Sequence, residues 1–243
     1  MILTRRQKLT IITLLVYWPG VFILAHIPIP RVVYHAQVSD KTLHILAYLV
    51  LVFLLWFSIS PDKKANWRKA AVWWILFAVV WYGVIDEVLQ GYVGRSCDVT
   101  DFLANLAGTL LGLILFSFLS FWPALLAVTG IVIFGLTNLA RANMAELLPV
   151  TNTLFHLFGY GFFTMLWIQN MRLFLPMKAS KWRWIITASA LPLGFLLIAK
   201  SFSIIFGRYF GIKNVIVGAA GITAVVIAFY IIPLFRKGSA KTL

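Results

Sequence analysis

Acidic residues are scarce in this chain: seven Asp and Glu in 243 residues, against 21 Lys and Arg. Charged residues of both signs make up only 12%, hydrophobic residues 62%, and the mean hydropathy is +0.94. A soluble domain carries about 25% charged residues to cover its surface, so this composition excludes one and indicates an integral membrane protein. Cysteine is limited to Cys97, which rules out an intramolecular disulfide and leaves the redox compartment unread. The net charge of +14 lies mostly in short segments between apolar runs, where it is expected to face anionic lipid head groups. No basic domain is left over to take nucleic acid as a partner.

What fills the chain instead is apolar runs. About 20 such residues cross roughly 30 Å of hydrocarbon, and eight segments qualify: 8–28, 41–60, 70–91, 99–120, 121–140, 150–170, 184–206 and 214–235. Ser120, Trp122 and Pro123 are the only signal dividing the fourth from the fifth. The first follows Arg5, Arg6 and Lys8 as a signal peptide would, but its length and the lack of a small-residue cleavage site predict a retained span. The fold class expected is an all-α polytopic membrane protein. Eight spans bring the two ends to one side, and 14 of the 21 basic residues fall on that side, which puts both termini in the cytoplasm.

Against that background the acids are concentrated. Asp40, Asp86, Glu87, Asp98 and Asp101 fall within 62 residues, together with His44, Gln90 and Arg95, and Asn105 follows one turn later. A charged side chain at mid-bilayer costs roughly 2.5–3.5 kcal/mol on the insertion scale, so such residues face a bundle interior or a wet cavity. Asp40, His44 and Tyr48 are spaced i, i+4, i+8 and share one face at the outer end of the second span. Glu87 and Gln90 share a face near the outer end of the third. After a short loop with Gly94 and Arg95, Asp98, Asp101 and Asn105 follow along the first turns of the fourth, ahead of Gly108 and Gly112, a small-xxx-small pair that admits a close neighbour.

The chain also repeats itself. His44, Tyr48, Gly94-Arg95, Asp101 and Gly108 recur as His156, Tyr160, Gly207-Arg208, Asn214 and Gly221, at offsets of 112 to 113 residues. Four spans per copy give two parallel four-helix repeats, 1–120 and 121–243, inserted in the same orientation. The second copy has lost its acids: Asn152 stands for Asp40, Lys200 for Glu87, Gly211 for Asp98 and Asn214 for Asp101. Packing acts on both copies alike, so this asymmetry assigns binding or chemistry to the first; simple drift of one copy is the bland alternative.

Each polar residue also has an ordinary reading. Asp98 reads first as an N-cap, and Asp101 as an acid against the positive end of the helix dipole. Asp86 reads as a membrane-surface residue beside Glu87, and His26, His35 and Asp62 as loop or interface residues. Arg95 serves equally well as an ion-pair partner of Glu87 or Asp101 or as a ligand for substrate, and His44 competes with a plain helix–helix hydrogen bond.

The pattern Asp40-Lys41-Thr42-Leu43-His44 with Tyr48, then Glu87 and Gln90, then Gly94-Arg95-Ser96-Cys97-Asp98 with Asp101, Asn105 and Gly108, closely resembles the VanZ-like membrane proteins. The likeness covers about residues 38–115, and the second half resembles a degenerate copy. The resemblance implies a bacterial plasma-membrane protein, with a link to reduced susceptibility to the glycopeptide teicoplanin. It maps Asp40, His44, Glu87, Gln90, Arg95, Asp101 and Asn105 onto the family's characteristic positions.

Two functional classes fit. In one, an outer-leaflet site acts on an amphiphile with an anionic head, a lipid-linked cell-wall precursor or a phospholipid. His44, Glu87 and Asp101 then form the catalytic set, with Arg95, Asp40, Gln90, Asn105 and Tyr48 binding substrate. In the other, the same residues bind lipid or antibiotic, or pass an amphiphile between leaflets, without turnover. A hard divalent cation held by Asp40, Glu87 and Asp101 would neutralise the anionic head group, but the acids are too dispersed along the chain to form a known metal-ligand motif, and neither a cofactor nor an oligomeric state can be read from the sequence.

Overall fold

A computed structural model describes residues 3–27, 39–93, 97–140, 149–171, 181–207 and 211–239. Among these residues the chain is helical: α1 Arg5–His26, α2 Asp40–Ile59, α3 Ala70–Tyr92, α4 Val99–Phe118, α5 Phe121–Phe134, α6 Pro149–Met171, α7 Lys181–Ile205 and α8 Ile212–Ser239. A π turn, Gly135–Leu139, extends α5. Seven of the eight are long and apolar enough to cross a membrane. The exception is α6, which has the length but carries Asn152, Thr153, His156, Thr164, Gln169 and Asn170 in place of aliphatic residues. The chain is therefore an all-α polytopic membrane protein.

Local chemistry accounts for several of the boundaries. Thr4 caps α1 by accepting from the Gln7 N–H, and Asp98 caps α4 by accepting from the Thr100 N–H. The helix breaks at Leu119 and Ser120, and α5 restarts with Pro123 in its first turn, where a missing N–H costs no intrahelical bond. That confirms the weak division between the fourth and fifth spans.

Two compact units divide the chain, Met1–Ala142 and Asn143–Leu243. Helix α5 packs with the first unit, against α2 and α4. The packing boundary thus falls after α5, later than the division at residue 121 read from the sequence.

Within the first unit α2 is the central helix. Leu49, Val52, Phe57, Val72, Leu113 and Phe116 are fully enclosed, and Phe53, Phe57, Phe116 and Phe121 pack tilted or edge to face with centroids 4.9–5.7 Å apart. Lipid tails are as apolar as leucine, so helices in a bilayer associate by close packing, and small residues decide where. A Cβ on Gly108 of α4 would lie 2.3 Å from the Ile45 carbonyl oxygen of α2, and one on Gly112 would lie 2.4 Å from Val52 Cγ1. The two backbones meet because neither glycine has a side chain.

The second unit repeats this contact: a Cβ on Gly221 of α8 would lie 2.3 Å from the Leu157 carbonyl oxygen of α6. One turn on, the small residue has changed sides. Gly112 faces Leu49 and Val52 in the first unit, whereas Val225 faces Gly161 in the second. Outside these seams the helices present Leu15, Val16, Trp74, Phe77, Trp81 and Phe118, apolar side chains that face lipid at no cost.

Antiparallel packing gives the first unit two distinct ends. At one, Arg6 pairs with Asp62 at 2.5 Å, Gln7 Nε2 donates to the Ser58 carbonyl at 2.8 Å, and the Ala65 N–H donates to the Phe116 carbonyl at 2.8 Å. At the other, the π turn secures the start of α2, where the Ser39 N–H donates to the Ala140 carbonyl at 2.7 Å. The acids gather at this second end.

Replacing Gly108 with Ala is expected to destabilise the protein by about 1–3 kcal/mol, since backbone rather than a flexible side chain must yield. Gly20→Ala, with nothing within 4 Å of the added carbon, is the matched control. Thermal unfolding in detergent checks the pair: the first should melt lower than the parent and the second at or above it.

Candidate functional site

The close seam between α2 and α4 sets the site's geometry, because His44 and Asn105 lie one residue and one turn from the contacting Ile45 and Gly108. Their side chains meet at 2.9 Å, His44 Nδ1 to Asn105 Oδ1. An amide oxygen can only accept, so Nδ1 carries the proton and donates. That leaves the Asn105 amide group to donate to Glu87 Oε1 on α3, at a long 3.5 Å. The reverse amide orientation would set its oxygen against a carboxylate. A chain of polar groups thus runs from α3 through α4 to α2.

Glu87 is held from a second direction as well, since the Asp98 N–H donates to its Oε2 at 3.4 Å. The backbone that caps α4 therefore also touches the acid of α3. On the other side of His44, Asp40 Oδ1 stands 3.7 Å from Nε2. Lys41 reaches Asp101 at 3.3 Å and Asp98 at 3.4 Å from a half-exposed position. Glu87, Gln90, Asp101 and Asn105 are all at most 5% exposed.

Asp86 corrects the sequence reading. It is 2% exposed rather than at the surface, accepting from Gln90 Nε2 at 3.1 Å and lying 3.8 Å from His26 Nδ1. The i, i+4 spacing of Asp86 and Gln90 was the signal: it turns both inward on one helix face. His26, expected in a loop or interface, instead ends α1 against this acid. Gln90 accordingly serves Asp86 rather than the Glu87–His44 chain.

Tyr48 lies one turn below His44, stacked on Tyr82 at 6.0 Å, its hydroxyl buried with no hydrogen-bond partner among the described residues. Gly83 makes room for it, since a Cβ there would lie 3.5 Å from the Tyr48 hydroxyl. Of the residues singled out in the sequence, Asp40, His44, Tyr48, Glu87, Gln90, Asp101 and Asn105 are brought to this one end of the unit. Arg95 and its neighbour Gly94 lie outside the described residues, as does the 29–38 stretch.

In the second unit the polar chain is rewritten. Asn152 Nδ2 donates to Asn214 Oδ1 at 2.9 Å, where the first unit has Asp40 and Asp101. His156 Nδ1 bonds the carbonyl of Asn152 at 2.8 Å, and Lys200 Nζ stands 3.1 Å from His156 Nε2. Tyr160 matches Tyr48, buried with its hydroxyl unpartnered among the described residues. The scaffold residues recur and the charged ones differ.

Fold and site together define a multi-pass membrane protein with an enclosed acid, imidazole and amide network at one end of a five-helix unit. Residues 8–120 match the model of the VanZ/LLP1 family, so this part of the chain is VanZ-like. The match spans α1 to α4 and so contains the site. No curated protein and no solved structure matches the chain.

Two outcomes test this geometry. Asn105→Ala should cost about 1–3 kcal/mol, because it leaves a buried imidazole N–H without its acceptor, and thermal unfolding in detergent reads the loss. Asp98 is held below the usual aspartate range by the Thr100 hydroxyl and N–H, with Lys41 adding to the effect. A depressed carboxyl stabilises the fold above its unfolded pKa, so this contribution is complete at neutral pH and fades as pH falls below the ordinary aspartate range. The melting difference between parent and Asp98→Ala should shrink over that acid window.

Proposed function

We propose that the first unit binds the anionic head group of a cell-envelope amphiphile, a lipid-linked cell-wall precursor or a phospholipid, at the outer leaflet of a bacterial plasma membrane. Both termini then lie in the cytoplasm, in keeping with the excess of basic residues at that end. The observation that carries the reading is the enclosed network of Glu87, Asn105 and His44, at the same end as the half-exposed Lys41. Side chains that costly inside an apolar bundle are kept for a ligand or for proton movement. Lys41, and Arg95 by its residue type, supply the cationic groups that an anionic head requires.

Within this reading the catalytic form assigns proton acceptance to Glu87 or Asp101 and transfer to His44, linked to Glu87 through the Asn105 amide. The binding form uses the same groups without turnover, as would passage of an amphiphile between leaflets. The second unit, with its acids replaced, serves as scaffold. An effect on teicoplanin susceptibility follows where the amphiphile bound is the precursor that the antibiotic recognises.

Native mass spectrometry of the detergent-purified chain with phosphatidylglycerol and phosphatidylcholine tests the reading. Preferential retention of the anionic lipid, reduced by Arg95→Ala, is expected; equal retention of the two would sink it. Glu87→Gln separates the forms, because the amide keeps shape and loses proton acceptance. Teicoplanin tolerance of expressing cells, normalised to folded protein, should vanish in this variant under the catalytic form and persist in part under the binding form.

A further inference from the structure

We propose that Asp40, His44 and Asp101 hold a divalent metal ion of the manganese or zinc type, through one oxygen of each carboxylate and Nε2 of the imidazole. The three ligand atoms, one from each residue, all lie within 4.8 Å of one another. Residues spread over 62 positions of the chain are brought there by the glycine seam between α2 and α4. The proposal concerns the same pocket as the head-group reading but does not depend on which amphiphile the pocket takes.

The imidazole carries the argument. With Nδ1–H committed to Asn105, His44 presents Nε2 toward Asp40 Oδ1, 3.7 Å away, with no hydrogen bond to Nε2 among the described residues. A histidine that donates one ring N–H to an amide oxygen while presenting the other nitrogen is oriented as metal-bound histidines are. His44 is only 8% exposed.

The second unit gives an independent indication of what belongs there. His156 uses Nδ1 in the same way, toward a carbonyl oxygen, and its Nε2 meets a cation, the Lys200 ammonium at 3.1 Å. Where that built-in cation is present, the flanking carboxylates are absent: Asn152 and Asn214 bond each other directly. The first unit shows the complement, with Glu87 at the lysine position and carboxylates at both amide positions. A bound metal ion would stand at His44 Nε2 where the Lys200 ammonium stands at His156 Nε2. Lys41 already touches Asp101 Oδ1, but a carboxylate offers a second oxygen, and the half-exposed lysine is free to move. Two carboxylate oxygens and one imidazole leave coordination positions open, as a catalytic or head-group-binding metal requires.

The full chain, purified in detergent and freed of metal with a chelator, is to be loaded with Mn²⁺. One Mn²⁺ per chain by elemental analysis is expected, with nitrogen-14 modulation in the pulsed electron paramagnetic resonance spectrum from His44. Asp40→Asn combined with Asp101→Asn reproduces the amide pair that the second unit already folds around, and should abolish retention. Retention no higher than in the apo control, equal retention by the double variant, or bound Mn²⁺ without nitrogen modulation would each overturn the proposal. The nitrogen signal is read on the unaltered chain, so it decides the matter even where the double variant fails to fold. Mn²⁺ binding without lipid preference would remove only the head-group reading, and lipid preference without Mn²⁺ binding would remove only this one.

Discussion

The contact on which the site depends is between two backbones. Gly108 of α4 approaches the Ile45 carbonyl of α2 so closely that no side chain fits between them. In a bilayer, where burying apolar surface drives nothing, this closeness is itself the adhesive: it brings many atoms into dispersion contact and sets the helices' register. Register fixes the rest. With Ile45 against Gly108, His44 meets Asn105, and Asp101 comes within reach of Lys41 and the start of α2. A helix separation wider by one methyl group would leave the imidazole and the amide apart in a medium that penalises each for standing alone.

Among the described residues the pocket concentrates carboxylates beside two histidines and one lysine. Asp86 and Glu87 are adjacent and both enclosed, and each has a distinct partner set, His26 and Gln90 for one, Asn105 and the Asp98 backbone for the other. Helix ends help, because α4 starts here and its positive dipole end faces Asp98 and Asp101. Amides and backbone N–H groups can orient a carboxylate but cannot neutralise it. Such an arrangement is suited to a cation that can in turn hold an anionic head group, or to the uptake of a proton.

Comparison within the chain separates scaffold from site. Gly221 meets the Leu157 carbonyl as Gly108 meets that of Ile45, and Tyr160 is enclosed as Tyr48 is. The two units thus share their seam and their aromatic floor. They differ where the carboxylates stood, and the second unit pairs amide with amide and lysine with imidazole. There the histidine nitrogen meets an ammonium, whereas in the first unit it faces a carboxylate.

By itself the sequence determined the membrane class, eight helical segments and the break at Ser120, because hydropathy and helix-breaking chemistry are local and act wherever the residues sit. It also identified His44, Glu87, Asp101 and Asn105 as belonging together, through helical spacing and the family pattern. Asp86 was misplaced and His26 was read as a loop or interface residue, since burial of a helix end depends on what packs over it, and nothing near residue 86 shows that α1 ends there. Only the tertiary structure decided that Asn105 bridges Glu87 to His44, that Gln90 serves Asp86, and that Asp40, His44 and Asp101 converge. Those pairings depend on side chains from different helices meeting within a few ångströms, and that distance is set by how closely Gly108 lets α4 approach α2.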